Sequence, residues 1–203
     1  MDWRERYERA AARYAVGETR ELDERQLVQL ANSAWAAGLS LLMAGDRDAA
    51  VEWLRRSAER YRESWNAGEA SDAWGRPIGA MKALLIAGDD TSDAARWTLE
   101  TCLGVRHLDM SVSPIGRYAA ALALLVLDRD EEAGVIAATL GEDFPGDVAI
   151  ALVALASHNP GAYRTAVAGV RTSFETRDAF LEELPVSDTA LALDALAGRR
   201  NLV

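Results

Sequence analysis

Carboxylates, histidines and one thiol are the residues in this chain whose types could do chemistry. Asp89, Asp90 and Asp93, and again Asp128, Asp130, Glu131 and Glu132, bring enough oxygen together to suggest a calcium ion. A calcium loop needs six or more oxygens converging within about 2.3–2.6 Å and a glycine at its sharp turn. Neither run has that spacing. An aspartate just ahead of an apolar run is explained more simply, as a helix cap whose carboxylate accepts a backbone N–H. His107 and Asp109 form a conceivable acid–base pair, but they lie in Gly104–Asp109, which reads as a surface loop, and His158 stands in a turn before Asn159 and Pro160. No Cys/His zinc spacing is present, so the expectation is no bound metal. Cys102 follows Thr98, Leu99 and Thr101 in an apolar helical setting and reads as a buried, inert thiol. A reactive thiol would want a neighbouring base or cation, and Arg106 and His107 fall past the expected helix end.

Nucleophile patterns are equally thin. There is no Gly-x-Ser-x-Gly elbow, Walker loop or dinucleotide fingerprint, and Ser92, Ser113 and Ser187 stand at plausible helix caps. The chain therefore reads as a non-enzyme without a cofactor. Aromatic residues are the remaining signal. Trp3, Tyr7, Trp35, Trp53, Tyr61, Trp65, Trp74 and Trp97 crowd the first half at helical spacing, which marks core, with Trp35 and Trp53 standing beside the packing stripes.

Bulk composition narrows the partners. The 203 residues carry a formal net charge of −10. Phosphate backbones and anionic membranes are repelled at long range, so neither nucleic acid nor a membrane surface is an expected partner. Lys82 is the only lysine. An acidic surplus of this kind resembles that of salt-adapted proteins, in which screening makes self-repulsion tolerable. One cysteine excludes an internal disulfide. The N-terminus lacks the apolar core of a signal peptide, and the most apolar run, Tyr118 to Leu127, is too short to span a bilayer, so a cytoplasmic location is expected.

The elements that would position these residues are helices. An apolar helical run, a short break and a new helical run recur at Met43-Ala44-Gly45-Asp46, Ile86-Ala87-Gly88-Asp89, Val126-Leu127-Asp128 and Ser157-His158-Asn159-Pro160-Gly161. The pattern predicts helices over 2–16, from Asp23 to Ala44, from about Asp48 to Asn66, up to Gly88, from Ser92, from Ser113, from Asp130 to Leu140, over 147–157 and 161–175, and from Ser187 to Ala197. A short helical turn is expected over 178–183. Pro77-Ile78-Gly79 and Pro114-Ile115-Gly116 echo one another at two helix starts. No alternating strand pattern interrupts the chain, and no linker divides it, so one domain over 1–203 is expected.

The stretch Ala31 to Ser64 resembles a tetratricopeptide repeat. Gly38, Leu41, Ala50, Leu54 and Ser57 stand at that family's small and large packing positions, while Arg62 replaces its closing proline. Small residues there let two helix backbones approach closely. The resemblance implies an all-α, right-handed superhelix of four to five antiparallel helical hairpins, with the first helix capping the stack or padding its groove. It also implies that Asn32, Trp35 and Leu39 face a concave groove. Arg76 and Arg117 either point into that groove, to clamp a carboxylate, or pair with neighbouring glutamates. The expected function is a protein–protein interaction scaffold binding a peptide or partner helix, anchored by Trp35. The alternatives are a self-associating structural protein and an all-α enzyme with a groove-side site.

Overall fold

The computed structural model describes residues 2–18, 22–68, 73–102 and 113–203, with the backbone alone at 101 and 102. His107, Asp109 and the side chain of Cys102 lie outside the described residues. The chain is all-α, with ten α-helices and no strand among the described residues. They are α1 (Trp3–Glu18), α2 (Glu24–Met43), α3 (Arg47–Ala67), α4 (Gly75–Ala87), α5 (Ser92–Trp97), α6 (Pro114–Val126), α7 (Asp130–Ala137), α8 (Gly146–Ala156), α9 (Pro160–Glu175) and α10 (Asp188–Arg199). A π-helical turn, Thr98–Cys102, continues α5, and a 3-10 turn, Leu181–Glu183, precedes α10.

The four recurring breaks share one physical device. Each holds a residue in the left-handed region: Gly45 (φ 85°), Gly88 (φ 84°), Asp128 (φ 54°) and His158 (φ 51°). The next residue's N–H reaches back to the helix, Asp46 to Leu41 O, Asp89 to Leu84 O, Arg129 to Leu124 O and Asn159 to Ala154 O, at 2.9–3.0 Å. The left-handed residue itself donates to Leu42, Leu85, Leu125 or Leu155 in turn. This is the Schellman arrangement, which satisfies carbonyls the ending helix leaves free. Three of the residues that complete these stops occupy the cap position of the next helix: Asp46 for α3, Arg129 for α7 and Asn159 for α9. Stop and start are therefore fused, which is why the connections are so short.

Starts follow their caps. Asp23 and Gln26 form a reciprocal capping box at α2, and Asn159 accepts from Ala162 N–H at α9. Ser113 accepts from Gly116 N–H ahead of Pro114, the first residue of α6. Asp46, two residues before the expected start, caps α3. Ser92 does not cap α5: Thr91 holds that place, and Asp90 accepts the Ser92 N–H. Ser187 stands at the cap of α10 without making the bond.

By contacts the chain forms two compact units. The first comprises residues 1–89 and 178–186, the second 90–177 and 187–203. In the first, each of α1 to α4 packs on its sequence neighbours, and the 3-10 turn returns to α2. Gly38 of α2 makes the closest approach to α3, since a Cβ there would lie 2.8 Å from Leu54 Cγ and 3.2 Å from the Ala50 carbonyl. Ser57 donates to Ala31 O across the same crossing. In the second, the apolar α6 is buried from Tyr118 to Val126, with α7, α8 and the turn 98–102 among the elements against it. Arg200, just past α10, donates to Leu125 O and to Asp130.

Candidate functional site

Trp35 and Leu39, two of the residues expected to line a groove, are buried: Trp35 is 3% exposed and Leu39 0%, so neither side chain offers a surface to a partner. The reason is local to the first unit: α2 has α3 on one flank and α1 and the turn Leu181–Glu183 on others, leaving its middle enclosed. Asn32 is half-buried and accepts the Tyr61 hydroxyl at 2.7 Å. Arg76 pairs with Glu24 and donates to Ser64 O at 2.9 Å, the second of its two expected roles. Arg117 is half-buried near the start of α6, in the other unit. Trp53, which the sequence also singles out, is partly covered by Tyr14 at 5.3 Å, edge to face, and by the Arg56 guanidinium at 4.9 Å.

The surface that stands out belongs to the second unit. Val148 to Ala156 of α8 is a run of nine apolar residues without a polar break. One side of it is core: Val148, Ala151, Leu152, Ala154 and Leu155 are buried against neighbouring helices. The opposite arc carries Ala149, Ile150, Val153 and Ala156, with Ile150 54% and Val153 36% exposed. A helix apolar all round normally has neighbours all round. Here the part of the arc at Ile150 and Val153 is left open to solvent among the described residues.

Helix α7 extends this face. A Cβ placed on its Gly134 would sit 3.4 Å from Ala156 Cβ, so the helices touch where α8 ends. His158 and Asp130 meet at 2.7 Å at the same end, which fixes the pair as antiparallel. Val135, next to Gly134, is 66% exposed, and Ala138 is exposed one turn on. Val135, Ala138, Ile150 and Val153 thus flank one seam.

Charge marks both ends of the seam. Glu131 and Glu132 stand where α7 begins and α8 ends, and Glu142, Asp143 and Asp147 stand at the other end. Glu132 is held by Arg129, whose guanidinium keeps its carboxyl below the usual range. Glu131, Glu142, Asp143 and Asp147 have no ion pair among the described residues. The arrangement is an oily strip with carboxylates beyond each end. Among the described residues it holds no nucleophile beside a base. Sequence reading misses it because 147–157 looks like one arm of a buried hairpin; the signal is the nine-residue run itself.

No protein-family model matches the chain, and neither a curated protein nor a solved structure matches it.

Proposed function

We propose that the protein is an interaction module whose α7–α8 face docks a basic amphipathic helix from a partner protein. The observation that carries this reading is the open part of the α8 arc, where Ile150 and Val153 stand exposed in an all-apolar run. Apolar side chains laid on one helix face, in two neighbouring helices, fit the helix-in-groove mode of recognition. Unpaired carboxylates at both ends of the strip select a partner with lysine or arginine flanking its apolar stripe. The same carboxylates repel phosphate backbones and acidic peptides. The tetratricopeptide resemblance of α2–α3 supports an interaction role in a general way, through the close Gly38–Leu54 crossing. The groove residues Trp35 and Leu39 have no part in it.

The test uses two synthetic helical peptides of the same apolar pattern, one leucine/lysine and one leucine/glutamate. The leucine/lysine peptide should bind the full chain and shift the NMR methyl signals of Val135, Ile150 and Val153; the acidic one should not. The double substitution I150E/V153E should weaken binding at least tenfold while keeping the helical fold, with only a modest fall in Tm from the added negative charge and the partly covered Val153. Equal binding of both peptides, or shifts elsewhere on the chain, would overturn the proposal. A concentration-dependent dimer dissolved by the same substitutions would assign the face to a second copy of the chain instead.

A further inference from the structure

The first unit carries a half-open cleft of about 380 Å³, walled by α1, α2 and the returning segment 178–186. Leu22 and Leu30 give it an apolar side, and Gln26, Gln29 and Ser33 of α2 a polar one. Arg13 of α1 and Glu182 complete the lining with one positive and one negative charge. A space of this size admits many small molecules. The side chains, not the volume, choose among them.

Two independent observations point to an occupant. Ser33 is 6% exposed, and its hydroxyl has no hydrogen-bond partner among the described residues, yet it is not sealed in and borders the cleft. The buried serines Ser57 and Ser64 both give their protons to backbone carbonyls, as helical serines ordinarily do. Ser33 keeps its proton for something else. Glu182 is the second. It and Glu183 stand in the left-handed region, at φ 53° and 56°, which residues with a Cβ rarely adopt. Such backbone is found where a side chain must be held for a ligand. Two arginines of α1 hold this turn: Arg6 donates to Glu183 O at 2.8 Å, and Arg13 to one Glu182 carboxylate oxygen at 2.6 Å. The other Glu182 oxygen and most of the Arg13 N–H groups have no partner among the described residues.

We propose that this cleft binds a free α-amino acid with an uncharged aliphatic side chain, with L-leucine the representative species. A wall bearing one arginine and one glutamate matches a zwitterion better than an anion or a cation alone. The α-carboxylate accepts from the unused Arg13 N–H groups and from the Ser33 hydroxyl, and the α-ammonium donates to the second Glu182 oxygen. The Arg13–Glu182 pair stays intact, because each partner has capacity left over. The aliphatic side chain lies on Leu22 and Leu30. The site belongs to the first unit and does not rest on the α7–α8 face of the second.

The test follows thermal melting of the full chain with added L-leucine, L-aspartate, isocaproate or isopentylamine at matched ionic strength. Isocaproate keeps the carboxylate and the aliphatic tail without the ammonium; isopentylamine keeps the ammonium and the tail without the carboxylate. L-leucine alone should give a saturating rise in Tm, by linkage to the folded state. R13Q, E182Q and S33A should each raise its half-saturation roughly tenfold or more, the loss of one hydrogen bond to a charged group. S33A removes no bond from the unliganded chain, so it keeps the fold and the test stays readable if either charge substitution does not. Added L-leucine should also shift the NMR methyl signals of Leu22 and Leu30. A rise with isocaproate or isopentylamine equal to that with L-leucine, or no saturating rise at all, would overturn the proposal. So would an unchanged half-saturation in S33A, or methyl shifts confined to residues outside the cleft.

Discussion

Tyr163 shows what burial does to a single titratable group in this protein. Its ring is fully buried and its hydroxyl donates to Asp194 at 2.7 Å, while Arg171 holds the same carboxylate. Burial first, and the bond to a negative acceptor second, push the phenol well above its ordinary range. Tyr118, enclosed beside Phe144 and near Asp188, is raised for the same first reason. The unfolded phenol titrates near about pH 10. Between that pH and the higher folded value the unfolded chain sheds protons that the native chain keeps, so stability falls as pH rises. The contribution is complete below pH 10 and is lost above it. Y163F should therefore melt lower than the wild type at pH 7, by about 1–3 kcal/mol for a lost bond to a charged acceptor. Its Tm should also fall less steeply between pH 10 and 12. Parallel pH profiles for the two proteins would show that Tyr163 does not carry the alkaline loss.

At the scale of elements, much of the helix layout is legible from sequence because local chemistry sets it. Asp23, Ser113 and Asn159 cap helices, and Gly45, Gly88, Asp128 and His158 stop them, each through bonds spanning no more than five residues. What is not legible is which sides of α2 are covered. That depends on α1 and on Leu181–Glu183, about 140 positions further along, and no periodicity within α2 reports on so distant a segment. Trp35 reads as a groove residue for that reason, and it is core. The α7–α8 face escapes sequence reading for the converse reason, since apolar residues without a partner look the same in sequence as apolar residues with one. Two glycines separate local from tertiary causes experimentally. Gly45 sits at φ 85° with nothing within 4 Å of where a Cβ would stand, so G45A meets only backbone strain, about 1–2 kcal/mol. Gly38 is helical, but a Cβ would press on Leu54 and on the Ala50 carbonyl, so G38A costs about 1–3 kcal/mol by forcing α2 from α3. Denaturant melts should show both losses. Only G38A should disturb the NMR methyl signals of Leu54; a silent G38A would mean the crossing has slack.

For the whole molecule the governing quantity is charge. Lys and Arg number 22 against 32 Asp and Glu. Many of the arginines are already committed: Arg55 to Asp89 and Glu52, Arg60 to Glu18 and Glu63, Arg129 to Glu132, Arg171 to Asp194, Arg200 to Asp128 and Asp130. The surplus is negative and distributed over solvent-facing positions such as Glu131, Glu142 and Asp143. Exposed pairs contribute only about 0–1 kcal/mol each and weaken with salt, whereas repulsion among the unpaired carboxylates weakens with salt in the opposite, stabilising sense. For a chain of net charge −10 the second effect should win. Tm should rise as sodium gluconate is increased from 10 mM to 1 M, with most of the rise complete once the Debye length falls below about 10 Å, near 0.1 M. The same series near pH 4.7, about the isoelectric point of the sequence, should lose this rise and fall slightly, since only the screened ion pairs then respond to salt. A falling Tm at neutral pH would mean that the ion pairs outweigh the surplus, and the acidic composition would then owe nothing to a salty environment.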